Sequence, residues 1–233
     1  MSCIRSQFGD ILADFVSLFY PNYCLGCSGS LVRGENLVCS GCMLEMAQTN
    51  YHEVADNPLK LRLANRVPII HALAFFRFNK TGRIQHLLHA LKYKNEPEVG
   101  VMLGRVYGQK LKEKHYSFDL ILPVPLHESR RRKRGYNQSA KFAEGLSTTL
   151  EAPFSDDIMT RVVKTDTQTR KSKLARWENV SDVFALKDRA SVRDKHILLV
   201  DDVVTTGATL EACALTLTDG GCDRISIASI AVA

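Results

Sequence analysis

Residues 197 to 209 read ILLVDDVVTTGAT, and no other stretch restricts the fold of this chain as tightly. Ile197, Leu198, Leu199 and Val200 form a short continuous aliphatic run, the pattern of a strand buried on both faces of a parallel sheet. Asp201 and Asp202 then fall at the carboxyl edge of that strand, which in open α/β sheets is where ligands bind. Beyond them Thr205, Thr206, Gly207, Ala208 and Thr209 make a small, hydroxyl-rich turn that opens a helix at Ala208 or Thr209. Small side chains expose backbone N–H groups, and such a turn ahead of a helix N-terminus is an anion cradle. Carboxylates repel phosphate, so Asp201 and Asp202 face another part of the same ligand; ribose hydroxyls and a bound Mg²⁺ meet that requirement. A buried strand followed by a plain polar cap explains less, because a helix start gains nothing from two adjacent acids at a strand end.

The 233 residues suffice for one α/β domain plus a small appendage. A hydrophobic content of 45% with 24% charged residues is ordinary for a soluble globular protein. The apolar runs fall well short of the roughly 18 residues of a spanning helix, so no membrane insertion is expected. Near the start, Ile4, Phe8, Ile11, Leu12, Phe15, Leu18 and Phe19 have helical spacing, interrupted by Asp10 and Asp14, with no small-residue cleavage site after them. The expectation is an amphipathic packing helix over residues 1–20 and not a signal peptide, hence a cytoplasmic protein without structural disulfides.

Four of the seven cysteines fall as Cys24-x2-Cys27-x11-Cys39-x2-Cys42, the spacing of a four-cysteine zinc site. Gly26 and Gly41 precede the second cysteine of each knuckle, where a tight backbone turns amides toward thiolate sulfur. With all four positions filled by protein, the Zn²⁺ would be structural, stabilising a ribbon over residues 21–60 that is too small to fold alone. Four free thiols or a redox pair is the competing reading. Cys3, Cys213 and Cys222 stand alone, with Cys213 read as a small apolar residue of the helix after the turn.

Residues 67–78 alternate well enough for one or two strands. The helix that follows turns Ile84, Leu87, Leu88 and Leu91 inward and Arg83, His86, His89, Lys92 and Lys94 outward. With no acid or cysteine nearby, His86 and His89 read as solvated residues of a basic face rather than metal ligands. Residues 119–124 give the next strand, ended by Pro123 and Pro125. Five basic residues, Arg130 to Arg134, come next and lead into a helix near Asn137. Such runs are usually solvated, but this one leaves the sheet at the edge that carries Asp201 and Asp202. Arg130 and Arg134 are therefore the candidates for neutralising a pyrophosphate. Residues 165–184 are polar and basic, as in a mobile flap over a site. Trp177, within them, is open to three roles: packing the flap, stacking a base, or ordinary half-burial.

The 197–209 stretch resembles the phosphoribosyl pyrophosphate (PRPP) signature of type I phosphoribosyltransferases. That resemblance implies a parallel sheet with helices on both faces over residues 67–233. It also implies that Asp201 and Asp202 contact the ribose 2- and 3-hydroxyls at the reacting sugar, with Thr205 to Thr209 on the 5-phosphate. The wider order is CxxC, CxxC, LKYK at 91–94, PVPLHESRRRKRGYNQS at 123–139, TQTRKSKLARWENV at 167–180 and then VDDVVTTGAT. In that order the chain resembles the ComF family of bacterial proteins from Cys24 to Ala233. Arg134, Gly135, Tyr136, Asn137 and Gln138 match that family's Arg-Gly-aromatic-Asn-Gln element, and Gln168, Arg176 and Asn179 match later positions. Members are linked to competence, the uptake of single-stranded DNA, beside a ComFA-type helicase and a DNA-processing protein.

After the final strand, residues 224–233, this sequence leaves no C-terminal segment to build the hood with which type I transferases hold a base. A hood would have to come from the zinc module and the residues up to about 80, which weakens a purine or pyrimidine salvage reading. Three functions stay open: a Mg²⁺-dependent phosphoribosyltransferase of unknown acceptor, a PRPP- and single-stranded-DNA-binding protein, and an adaptor for a helicase or other partner. A net charge of +6 permits nucleic-acid binding without demanding it. Phe19, Tyr20 and Tyr23 beside the zinc knuckles are candidates to stack bases, though core packing is their commoner use.

Overall fold

The computed structural model describes residues 21–162 and 183–233. The expected helix over 1–20 and the flap residues 165–182, with Gln168, Arg176, Trp177 and Asn179, lie outside them. In chain order the elements are α1 (Ser40–Glu45), α2 (Pro58–Ala64), β1 (Ala72–Arg77), α3 (Arg83–Tyr93), α4 (Glu98–Glu113), β2 (Leu120–Pro123) and α5 (Glu128–Arg134). Then follow α6 (Gln138–Leu150), β3 (Met159–Arg161), β4 (Phe184–Leu186), β5 (His196–Val204), α7 (Ala208–Asp219) and β6 (Arg224–Val232). Among the described residues no helix is long and apolar enough to cross a membrane.

Strands β1, β6, β5 and β2 lie side by side in that order, every pair parallel. A strand buried on both faces sends alternate side chains to opposite layers. Leu198 and Val200 pack with Leu87 and Leu91 of α3, Leu103 and Tyr107 of α4 and Phe142 of α6. Ile197 and Leu199 pack on the other face with Leu59 and Leu63 of α2 and Leu210, Cys213 and Leu217 of α7. The fold is thus an α/β sheet with helices on both faces, and Cys213 is a fully buried apolar residue, as expected. Strands β3 and β4 form a separate antiparallel pair.

The cysteine module is tied to the sheet by main chain. Thr49 N–H donates to the Phe75 carbonyl at 3.1 Å and Arg77 N–H to the Ala47 carbonyl at 2.8 Å, so residues 47–49 run antiparallel along the free edge of β1. Cys24, Val38, Cys42 and Met46 are buried with Phe75, Phe76 and Leu87, so the module shares its apolar interior with one face of the sheet. Residue 60, where the sequence reading divides ribbon from domain, lies within α2.

The structure sets the bounds of three local segments. Of residues 67–78 only Ala72–Arg77 forms a strand. Strand β5 does not stop at Val200 but continues through both aspartates to Val204, because β6 keeps pairing with it, Asp201 opposite Ser229 and Val204 opposite Val232. The basic run folds into a short helix, α5, ended by Gly135 at φ 81°.

Candidate functional site

The site exists because β5 outlasts its neighbour on one side. Strand β2 ends at Pro123, paired with Val200, so Asp201 and Asp202 project where β2 no longer covers β5. The chain leaving β2 turns through α5 and returns as α6. Asn137 caps α6 by accepting from Ser139 N–H at 3.1 Å, and its side-chain amide donates to the Val124 carbonyl at 2.9 Å. This fixes Ser139, whose hydroxyl donates to Asp201 Oδ1 at 3.0 Å. The Asp202 N–H donates to the same oxygen at 2.8 Å.

Burial and the adjacent Asp202 charge push the Asp201 carboxyl up to about 7, against the pull of the Asp202 amide, the Ser139 hydroxyl and Lys92. Lys92 Nζ lies 2.9 Å from Asp202 Oδ2, and both side chains are largely buried. The expectation that α3 turns Lys92 to solvent is therefore corrected, whereas His86 is exposed as expected but also has a protein partner. His86 Nδ1 lies 2.8 Å from the Gly26 carbonyl in the first cysteine knuckle. Tyr136 fixes the end of α3 near Lys92, since its hydroxyl donates to the Leu91 carbonyl at 2.6 Å.

A cavity of about 180 Å³ brings together Asp201, Asp202, Arg130, Arg134 and Thr209 with Lys92, Ser139 and Arg161. Arg130 and Arg134 are four residues apart and share one face of α5. Arg134 also donates to Gln138 Oε1 at 2.9 Å and stands 5.3 Å from the centre of the Tyr93 ring. Its neighbour Arg132 instead pairs with Glu128 on the exposed side of α5. Of the turn, only Thr209 lines this cavity, whereas Thr205 lines the adjoining cleft. Thr205, Thr206, Ala208 and Thr209 are exposed; Gly207 itself supplies no side-chain cap to α7, and the Ala208 N–H reaches only the Thr206 hydroxyl at a long 3.4 Å.

Gly207 is buried at φ 83°, and a Cβ there would lie 2.5 Å from Leu63 Cδ2. The small residue is thus demanded by left-handed backbone and by α2 packed behind the turn. Arg62 of the same helix donates to the Thr205 carbonyl at 2.6 Å and to the Ala233 carbonyl at 3.3 Å. Arg66 pairs with Glu211 of α7 at 3.1 Å. Helix α2 therefore braces the turn from behind. Lys92 and Ser139 lie in stretches quoted for the family resemblance, LKYK and RGYNQS, but nothing local assigns them these contacts. Arg62 and Arg161 carry no sequence signal at all.

The four sulfur atoms of Cys24, Cys27, Cys39 and Cys42 all lie within 4.8 Å of one another. Tetrahedral coordination at about 2.3 Å per Zn–S bond needs such a cluster, so the four thiols are compatible with zinc. Backbone N–H groups of Gly26 and Cys39 donate to Cys24 Sγ, that of Gly29 to Cys27 Sγ and that of Cys42 to Cys39 Sγ, all at 3.2–3.4 Å. Burial opposes ionisation of Cys24, but amides of Cys39, Cys27 and Gly26 and the Cys42 thiol outweigh it and bring Cys24 to about 6. The two glycines differ in role. A Cβ at Gly26 would lie 2.9 Å from Cys42 Sγ, whereas one at Gly41 would meet nothing within 4 Å.

A phosphoribosyl transferase domain model matches residues 121–232. The chain is 27% identical to competence protein F of Haemophilus influenzae over 226 residues, 91% of this chain and 98% of that protein. It is 33% identical over 152 residues to DNA utilization protein YhgH of Salmonella typhi, 63% of this chain and 66% of that one. Among solved structures, it is similar to glutamine PRPP amidotransferase from B. subtilis complexed with ADP and GMP. That likeness has 17% identity and a TM-score of 0.44, over 60% of this chain and 30% of the other.

Proposed function

This chain belongs to the ComF family and carries a phosphoribosyl transferase domain, and on that premise we propose that it binds PRPP and transfers its phosphoribosyl group in the service of DNA uptake or use. The observation that carries the reading is the single cavity in which a carboxylate pair on β5 faces the arginines of α5. Asp201 and Asp202 accept from the ribose 2- and 3-hydroxyls, with Asp201 oriented by Ser139. The amides and hydroxyls of residues 205–209 at the start of α7 take the 5-phosphate. Arg130 and Arg134, with Lys92 and Arg161 lining the same cavity, neutralise the pyrophosphate. As the bond from C1 to the pyrophosphate oxygen breaks, negative charge grows on the leaving group and positive charge on the ring. The arginines stabilise the first and the Asp201–Asp202 pair the second, already in place before reaction.

Mg²⁺ prefers hard oxygen donors, which the two aspartates and the pyrophosphate supply, and when bound it would neutralise charge on the leaving group. Zn²⁺ would be held by Cys24, Cys27, Cys39 and Cys42 as a structural ion. The deciding experiment is calorimetric PRPP binding, together with pyrophosphate release in the presence of Mg²⁺ and each nucleobase, or none. Base-dependent release establishes the transferase. Tight binding without release leaves a PRPP-sensing role, and no binding refutes the reading.

A second reading, single-stranded DNA binding, is favoured by a groove of about 720 Å³ on the outer side of the arginines. Arg130, Arg132, Lys133 and Arg134 supply cations for phosphates, and Tyr93, 63% exposed, supplies a face on which a base stacks. Affinity for an oligothymidylate that falls steeply with salt supports this reading, and salt-insensitive or absent binding refutes it.

A further inference from the structure

Helix α3 meets the cysteine module with its first turn and the carboxylate site with its last, and it has little of its own to hold it. It has 11 residues, and isolated helices shorter than about 12–15 residues are marginal in water. Gly82 at its start gives no side-chain cap, no acid stands in the first turn, and Arg83 there opposes the helix dipole. Order in α3 therefore comes from what it touches at each end. We propose that Arg83 and His86 are positioning residues that make α3 a coupling element, so that zinc on the four cysteines raises affinity for PRPP and PRPP raises affinity for zinc, an inference that rests on the PRPP reading above and extends it to regulation.

At the module end, Arg83 Nη2 lies 2.5 Å from Oε2 of Glu45, the last residue of α1, the helix that carries Cys42. His86 Nδ1 lies 2.8 Å from the Gly26 carbonyl, and the N–H of the same glycine donates to Cys24 Sγ at 3.3 Å. One residue thus links a cysteine sulfur to α3. Ile84, Leu87 and Leu91 share an apolar cluster with Cys24, Cys42 and Met46. At the other end the Tyr136 hydroxyl holds the Leu91 carbonyl, and Lys92 holds Asp202. Lys92 follows His86 by six positions, about 9 Å of rise at about 1.5 Å per residue, with neither proline nor glycine to bend the helix between them.

The sign of the coupling follows. For a segment of this size, metal-binding free energy is folding free energy, and Glu45 and Gly26 belong to that segment. With zinc bound, both anchors on α3 are in place, its first turn is ordered and its last turn presents Lys92 to the site. With zinc lost, the anchors loosen and α3 frays from its uncapped start. A smaller fraction of molecules then holds Lys92 where a pyrophosphate needs a cation. PRPP selects the ordered helix and so favours the anchored knuckle. Linkage makes the two effects equal in factor. The ceiling is full loss of Lys92, about tenfold in PRPP affinity.

Zinc affinity of the full-length protein is measured by competition with a chromogenic chelator at constant Mg²⁺, with and without saturating PRPP. A rise of about fivefold with PRPP is expected for the native sequence. His86 is exposed, so its replacement leaves the fold in place. In His86→Ala the factor should fall to about one, and in His86→Asn, whose amide nitrogen takes the place of Nδ1, it should return. Zinc held by PRPP in solution affects all three samples alike. A factor of one in native protein that calorimetry shows to bind PRPP, or an unchanged factor in His86→Ala, overturns the proposal. Calorimetry without PRPP binding overturns the PRPP reading instead, and the joint is then decided without PRPP. In isotope-labelled protein zinc is replaced by cadmium, which has longer bonds to sulfur, and the Lys92 and Tyr93 amide resonances are followed. They should shift in the native sequence and stay in place in His86→Ala. Resonances unmoved in both, or moved equally in both, overturn the coupling through α3.

Discussion

Lys92 Nζ stands 2.9 Å from Asp202 Oδ2 on the shared rim of the arginine-lined cavity and the cleft under α3, and Lys92 also lines the outer basic groove. The pair joins two segments 110 residues apart in sequence and keeps two adjacent carboxylates from carrying an uncompensated charge.

Lys92→Met should therefore act on both stability and binding. Breaking a largely buried pair leaves its partner charge unpaired, and a loss of about 1–3 kcal/mol is expected in urea unfolding. Lys92 also lowers the Asp201 pKa, so its removal should move that titration to higher pH. PRPP affinity should fall about tenfold, read by calorimetry, for the loss of one cation at the pyrophosphate. A variant of unchanged stability and affinity would show the contact to be idle.

Asp201 should make stability fall with rising pH. Its folded carboxyl titrates at about 7, while an unfolded aspartate titrates near about 3.9, so between these values the folded state holds a proton that the unfolded chain has lost. Stability from this group is full below about pH 4 and is lost progressively as pH climbs through about 7. Asp201→Asn should remove that slope, matching the native sequence near about pH 4 and exceeding it above about pH 7. PRPP hydroxyls need the ionised acceptor, so PRPP affinity should rise through the same window with proton release, seen as calorimetric heats that depend on the buffer.

Gly207→Ala tests the turn. From the sequence, Gly207 belongs to a turn whose small side chains leave its amides open to an anion. The structure points a Cβ added there at Leu63, 2.5 Å away, and holds the backbone at φ 83°. Strain plus clash should cost about 2–4 kcal/mol. Adding Leu63→Ala should restore little of this, because it opens space but leaves a cavity and the backbone strain. Full recovery in the double variant would show that the clash alone mattered.

Arg62→Ala should loosen the turn without unfolding the chain. Arg62 is exposed, yet its bonds to the Thr205 and Ala233 carbonyls hold the turn against α2. A loss of about 1 kcal/mol in PRPP binding, roughly fivefold, is expected with a thermal midpoint lowered only slightly. Equal loss of fold and affinity would refute a bracing role.

Cys24→Ser should lower zinc content and stability together. Cys24 Sγ accepts from two backbone amides and is buried against Cys42, so the serine hydroxyl replaces a soft ligand at the centre of the module. Metal analysis and denaturant unfolding of the same preparation check this, and a stable fold without zinc would refute the structural ion.

Much of the fold was legible locally. Aliphatic runs at 120–123, 197–200 and 225–232 have no surface-facing alternation and so read as strands covered on both sides. The cysteine spacing and the Asp201–Thr209 stretch are equally local, because each chemistry needs fixed residue types within one turn or knuckle. Helix α3 was the least legible element. Its polar residues read as solvated because periodicity separates apolar from polar faces but does not tell water from a buried carboxylate or a backbone carbonyl.

By itself the sequence determined the parallel sheet, the placement of two carboxylates ahead of a glycine turn, and the four-thiol cluster, since all of these follow from hydrophobic period and short-range stereochemistry. Only the tertiary structure decided which distant groups meet them. Lys92 on Asp202, Ser139 on Asp201, Arg62 behind Thr205 and His86 on Gly26 each join segments separated by 60 to 143 residues. Those pairings are set by how α2, α3 and α6 pack across the sheet, and no local propensity encodes that packing.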